Sequence, residues 1–93
     1  MALHVLATLH TDRLASCLAS MGPDDYLLLL GDGVYLPQTA EILASCQASS
    51  RQVLVLTDDL RCRLPNAQSP VPTITYEQWV ELSISAGPVV SWY

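Results

Sequence analysis

The chain has 93 residues, of which 51% are hydrophobic and only 14% are charged, and its net charge is −5. A chain of this length supports one hydrophobic core, so we predict a single domain over residues 1–93. The four basic residues are all arginines, too few to neutralise a phosphate backbone, which argues against direct nucleic-acid binding. No apolar run approaches the roughly 18 residues of a membrane span, so we expect a cytoplasmic protein without a membrane segment. The apolar excess predicts surfaces that face partner subunits.

The first half of the chain alternates between strand and helix patterns. Residues 2–8, with His4 among them, are typical of a first strand, and the apolar run 26–30 predicts a strand buried on both faces. Between them, Asp12 is positioned to cap a helix that ends at Gly22 and Pro23. The apolar positions of this helix recur at helical spacing: Leu14, Cys17, Leu18 and Met21.

The same alternation continues to the C-terminus. Pro37 predicts the first turn of a second helix, and residues 53–56 predict a third strand. Residues 57–59 are expected to form the turn that leads from this strand into a short helix. A loop over residues 65–72 leads to a short strand, and the pair Thr75 and Gln78 has the form of a capping box that opens a last helix. This order predicts an α/β fold with a small doubly wound, mainly parallel sheet flanked by helices.

Two acidic residues follow predicted strands, where ligands gather in open α/β sheets: Asp32 and Asp58. The favoured interpretation is that both cap helices, and the alternative is a catalytic carboxylate pair. Gly31 and Gly33 begin a G-x-G pattern, but Leu36 stands where a dinucleotide fingerprint needs glycine. We therefore expect these glycines to permit a tight turn with positive φ.

The three cysteines, Cys17, Cys46 and Cys62, form no C-x-x-C pair and predict thiols in a reducing compartment. Neither these residues nor the two histidines show a zinc-ligand spacing, so we expect no metal and no cofactor. Cys17, on the first helix, is the candidate nucleophile. Cys62 lies between Arg61 and Arg63, whose charges favour a thiolate.

Four segments form a recognisable pattern: Leu3 with His4 near the start, the leucine-rich strand that runs into Asp32-Gly33-Val34, the run Val55-Leu56-Thr57-Asp58-Asp59-Leu60 with Arg63, and Ser91 with Trp92. Together they resemble the TusB/DsrH family of small sulfur-relay subunits. They span the chain from end to end. The chain departs from the family where Leu64 and Pro65 follow Arg63, because the family often continues with Arg-Gly.

The resemblance implies a DsrE-like fold and a cytoplasmic heterohexamer with TusC-like and TusD-like sister subunits. In that scheme a cysteine of the TusD-like subunit holds persulfide sulfur and passes it to a TusE-like carrier for 2-thiouridine formation at the tRNA wobble position. The TusB-like subunit is implied to be a structural and docking partner. DsrH-type members of sulfur-oxidising bacteria resemble this chain in carrying a cysteine on the first helix, the position of Cys17.

Three hypotheses follow. In the first, the chain is a noncatalytic interface subunit, with an apolar tail as its candidate interface: Val89, Val90, Trp92 and Tyr93. In the second, it is a DsrH-type subunit of sulfur oxidation in which Cys17 takes part in sulfur transfer or carrier docking. In the third, it is a stand-alone homo-oligomeric binding module.

Overall fold

The protein is described here from a computed structural model that covers residues 2–48, 52–85 and 87–92. Strands and helices alternate along these residues in the following order: β1 (Leu3–Leu6), α1 (Thr11–Ser20), β2 (Tyr26–Leu29), a 3₁₀ helix (Gly31–Gln38), α2 (Ala40–Ala48), β3 (Gln52–Leu56), α3 (Thr57–Arg63), β4 (Thr73–Ile74), α4 (Tyr76–Ser85) and β5 (Val89–Trp92). None of these helices has the length and apolar character needed to cross a bilayer.

The five strands form one sheet with the order β4-β3-β2-β1-β5, and every neighbouring pair is parallel. β1 therefore lies between β2 and β5, with His4 beside Leu27 on one side and Val90 on the other. The prediction of a parallel α/β sheet is confirmed. The residues Val89, Val90 and Trp92 of the predicted apolar tail form the edge strand β5.

Helices cover the two faces of the sheet unequally, which confirms the doubly wound arrangement. Side chains alternate along a strand, so β1 sends Leu6 to one face and Leu3 to the other. On the first, which we call the three-helix face, Leu6 packs in a core with residues of α1, α2 and α3: Leu14, Cys17, Leu18, Cys46 and Leu60. On the second, the α4 face, a smaller core of Leu3, Leu28 and Leu56 is covered by Trp79 and Leu82 of α4.

The helix starts agree with the sequence prediction in one case and differ in another. At α4 the capping box is confirmed: Thr75 N–H donates to Gln78 Oε1 at 2.8 Å, and Gln78 N–H donates to Thr75 Oγ1 at 3.2 Å. At α1 the predicted cap is wrong, because the helix begins at Thr11 and Asp12 lies within its first turn. There the carboxylate of Asp12 still interacts favourably with the positive helix end.

The chain after β2 also differs from the prediction. Pro37 does not open the second helix; it lies near the end of the 3₁₀ helix, and α2 begins only at Ala40. Thr39, between the two helices, has extended backbone angles, φ −94° and ψ 140°. This extended residue separates the 3₁₀ helix from α2.

Candidate functional site

The residues of the family pattern meet at the edge of the sheet where β1, β2 and β3 end. The 3₁₀ helix follows β2, and α3 begins directly where β3 ends. This brings two segments that are distant in sequence into contact; the first carries Gly31, Asp32 and Gly33, and the second carries Asp58, Asp59 and Arg63. We call this group the carboxyl-edge cluster.

An ion pair joins the two halves of the carboxyl-edge cluster. The Arg63 Nε–H donates to Asp32 Oδ1 at 3.2 Å, with both side chains partly exposed. The hydrogen bond to Asp32 raises the pKa of Arg63, and the nearby charges of Asp32 and Asp59 act in the same direction. Because solvent screens an exposed pair, this contact fixes geometry more than it stabilises the fold.

A second contact anchors the 3₁₀ helix at its first residue. The Gly31 N–H donates to Asp59 Oδ2 at 2.7 Å, and Gly31 has a positive φ of 55°. Left-handed backbone of this kind strongly favours glycine, as the sequence predicted for this turn. Asp59 therefore stabilises the turn, because it accepts the hydrogen bond of the Gly31 N–H in place of a backbone acceptor.

Asp32 and Asp58 do not cap helices, so the favoured sequence interpretation is wrong for both. The capping positions belong to Leu30 for the 3₁₀ helix and Leu56 for α3, and neither start has a side-chain cap. The reason is that each helix begins immediately after its strand, so both aspartates fall inside the first turn. Asp32 binds Arg63 there, whereas Asp58 is exposed to solvent.

The expectation of a positive φ is wrong for Gly33, because Gly31 and Gly87 are the described glycines with positive φ. Gly33 is required for a different reason. A Cβ atom on Gly33 would lie 2.6 Å from the carbonyl oxygen of Leu6, inside van der Waals contact with backbone. The missing side chain lets the 3₁₀ helix pass directly over the end of β1. In the carboxyl-edge cluster, Asp32 and Asp59 are thus both engaged in contacts that join the 3₁₀ helix to α3.

Among residues 2–48, 52–85 and 87–92, no group of three or more histidine, cysteine or acidic side chains is placed to hold a metal ion.

The cysteines differ sharply in accessibility. Cys17 is 0% exposed and lies on the core side of α1 with Leu14 and Leu18, and Cys46 is 1% exposed. Burial raises the pKa of the Cys46 thiol, which disfavours its thiolate. Cys62, on α3, is exposed. Since the thiolate is the nucleophile and must reach its partner, the described conformation keeps Cys17 from acting as one.

A buried polar contact that the sequence interpretation missed lies near the other end of β1. His4 is 5% exposed; its Nε2 is 3.1 Å from Asp25 Oδ2, and its Nδ1 accepts a hydrogen bond from Trp92 Nε1–H at 3.1 Å. Because Nδ1 accepts, Nε2 of the neutral ring carries the proton and donates to Asp25. We call these three residues the His4 triad. A histidine inside the predicted first strand was its one sequence signal.

The Asp25 carboxylate, just before β2, accepts several hydrogen bonds. In addition to the His4 bond, it accepts hydrogen bonds from Ala2 N–H at 2.8 Å and Gly22 N–H at 2.9 Å. The Gly22 bond and the His4 bond are the main causes that lower the pKa of Asp25 from 3.8 to about 2, against a smaller opposing effect of burial. Asp25 therefore links β1 to the turn before β2.

The described residues of the predicted apolar interface lie on β5 and differ in their exposure. Val89 and Val90 are exposed, at 50% and 38%, and alternate between the two faces of the edge strand. Trp92 is partly buried and turns inward to pack against the core of the three-helix face. Tyr93 lies outside the described residues.

The comparisons with known proteins agree with this architecture. A family model described as "DsrH like protein" matches residues 8–88. The solution NMR structure of protein Tm0979 from Thermotoga maritima is similar, with 26% identity, a TM-score of 0.59, and coverage of 88% of this chain and 90% of that one. No curated protein matches the chain. With a family match that spans residues 8–88 and a solved relative of the same fold, the chain belongs to the DsrH-like family.

Proposed function

We propose that the chain is a noncatalytic, interface-forming subunit of a sulfur-relay complex. Membership of the DsrH-like family supports a sulfur-relay subunit in general terms. In the complex that we propose, TusC-like and TusD-like sister subunits assemble with this chain into a heterohexamer. The TusD-like subunit holds the persulfide and passes sulfur to a TusE-like carrier for 2-thiouridine formation at the tRNA wobble position.

The burial of Cys17 is the observation that carries this proposal. In persulfide transfer, an attacking thiolate forms a bond to the terminal sulfur while the donor S–S bond breaks and the donor cysteine leaves as a thiolate. The attacking atom must therefore reach the donor. A thiol with no exposed surface, on the core side of α1, is unsuited to that step. Cys62 is exposed, so the burial argument concerns Cys17, and we propose that a neighbouring subunit supplies the sulfur-carrying cysteine.

The exposed apolar residues support the interface half of the proposal. Val80, Ile84 and Val89 are 47%, 80% and 50% exposed on a chain with little charge. Val80 and Ile84, four positions apart, lie on the same side of α4, and Val89 lies on the edge strand β5; we propose these residues as contacts with another subunit.

Coexpression with candidate TusC-like and TusD-like subunits from the same genome tests the proposal. We expect one co-eluting complex on size-exclusion chromatography, and we expect Val89→Asp on β5 to weaken it. Thr73→Asp on β4, the opposite edge strand, is the matched control and should leave the complex intact. A chain that stays monomeric beside its sisters, or that recovers only copies of itself, would overturn the proposal.

The second candidate function is a DsrH-type subunit in sulfur oxidation, and the position of Cys17 on α1 favours it. For this role α1 would have to expose its buried thiol when a carrier docks. Cys17→Ser and Cys17→Ala should then both stop transfer of labelled sulfur to the carrier, while circular dichroism reports a folded chain. Transfer at the wild-type rate in both variants would exclude a role for Cys17.

A further inference from the structure

Helix α4 buries none of its residues fully, although it is the α-helix that covers the α4 face. Trp79 and Leu82 pack on the sheet, and three residues at intervals of four form a stripe on the exposed side: Tyr76, Val80 and Ile84. The exposure along this stripe, 55%, 47% and 80%, is large for apolar side chains on one helix. An unpartnered stripe of this kind is typical of a helix that docks on another protein.

The α4 stripe is held in place before any partner binds. The capping box fixes the first turn of α4, and the Tyr76 ring packs edge-on against Trp79 with centroids 5.2 Å apart and an interplanar angle of 76°. Trp79 is itself anchored on the sheet. A docking residue that is already ordered loses less conformational entropy on binding, so Tyr76 is suited to act as an anchor.

The charges beside the α4 stripe identify the kind of partner. Glu77 and Glu81 are exposed and each follows a stripe residue by one position, so they form an acidic row along one flank. No basic residue occurs on α4. Arg13, Arg61 and Arg63, the arginines that the structure describes, lie on α1 and α3 over the opposite face.

A second copy of the chain is a poor occupant for this surface. If two α4 helices pack antiparallel about a two-fold axis, their acidic rows fall on the same side, with Glu77 of one copy near Glu81 of the other. If they pack parallel, the rows separate but still meet no cation. Like charges juxtaposed at an interface disfavour that pairing, and opposite charges favour a different partner.

We infer that α4 is a docking helix for a different polypeptide, whose surface presents an apolar stripe flanked by lysine or arginine, and that Glu77 and Glu81 select against self-association. This inference rests on the proposed role as an interface subunit and adds the chemistry of the partner. Tyr76, Val80 and Ile84 supply the apolar contact. The acidic row sets the choice of partner.

A charge-reversed form of the chain serves as the basic partner in the test. The variant Glu77→Lys/Glu81→Lys is mixed in equimolar amounts with the wild-type chain and examined by sedimentation velocity. We expect heteroassociation that neither chain shows alone at the same concentration and low ionic strength. Raising the salt from about 0.05 M to about 0.5 M should weaken it at least roughly tenfold, because the paired charges are exposed. Val80→Ser/Ile84→Ser in the wild-type partner should abolish it.

The matched control is Asp12→Lys/Asp24→Lys, which changes the net charge equally at exposed positions away from α4. If the mixture with Glu77→Lys/Glu81→Lys stays monomeric while both chains are folded, or the control associates equally well, the inference fails. Strong self-association of the wild-type chain through Val80 and Ile84 also overturns it. The outcome is distinct from failure of the proposed function, because this assay needs no sister subunit and the coexpression assay needs no charge reversal.

Discussion

The indole Nε1–H of Trp92 donates a hydrogen bond to Nδ1 of His4 across 3.1 Å, joining residues that lie 88 positions apart. His4 lies on β1 and Trp92 on the edge strand β5, so this bond ties the edge strand to its neighbour in the sheet. The two rings also stack, with centroids 6.2 Å apart. Through Asp25, the same histidine connects β5 with the turn that precedes β2.

Trp92→Phe should loosen β5 selectively. The substitution keeps an aromatic ring but removes the N–H, which leaves Nδ1 of the buried His4 without its donor, at a cost of about 1 to 2 kcal/mol. We expect the β5 amides to exchange hydrogen faster while β2 and β3 stay protected. Trp79→Phe, on the α4 face, controls for loss of ring area and should leave β5 unaffected. Uniformly faster exchange in all strands would contradict the prediction.

Stability should fall in acid because of Asp25. An unperturbed aspartate has a pKa of 3.8, whereas the pKa of Asp25 in the folded chain is about 2. The folded state therefore favours the ionised form of Asp25. The stabilisation is complete above the unfolded value and is lost as the pH falls from about 4 towards about 2. Asp25→Asn should lower the thermal midpoint at neutral pH and flatten this acid decline. The exposed neighbour variant Asp24→Asn should keep the wild-type profile.

Gly33→Ala should destabilise the fold by about 1 to 3 kcal/mol, since its Cβ would overlap the backbone carbonyl of Leu6 and both segments are fixed by neighbours. Urea unfolding measures the change. Gly22→Ala is the control, because the nearest atoms to its added Cβ are 3.7 Å away in Asp25. Equal midpoints for the two variants would show that the close approach over β1 is not as described.

In the folded chain, one of the three thiols should react quickly with a thiol reagent and the other two should be protected. Cys62 is exposed, whereas Cys17 and Cys46 are buried, so a thiol reagent should modify one cysteine quickly in the folded chain and three after unfolding. Cys62→Ser should remove the fast phase, and Cys17→Ser should leave it unchanged. A fast phase that disappears with Cys17→Ser would revive the role of Cys17 as a sulfur nucleophile.

Local patterns in the sequence predicted much of the framework. Continuous apolar runs indicated β2 and β3, helical spacing indicated α1, and Thr75 with Gln78 indicated the start of α4. These succeeded because hydrophobic periodicity and capping act over a few residues. The family resemblance came from motifs of the same local kind, and the family match over residues 8–88 confirms it.

The sequence by itself determined the fold class and the family, but the tertiary structure decided what the motif residues do. Asp32 binds Arg63 and Asp59 binds Gly31, across 31 and 28 positions, instead of Asp32 and Asp58 capping helices. The His4 triad and the placement of Val89, Val90 and Trp92 in β5 likewise depend on the order of strands in the sheet. Such contacts join segments that no local pattern relates, so only the assembled sheet specifies them.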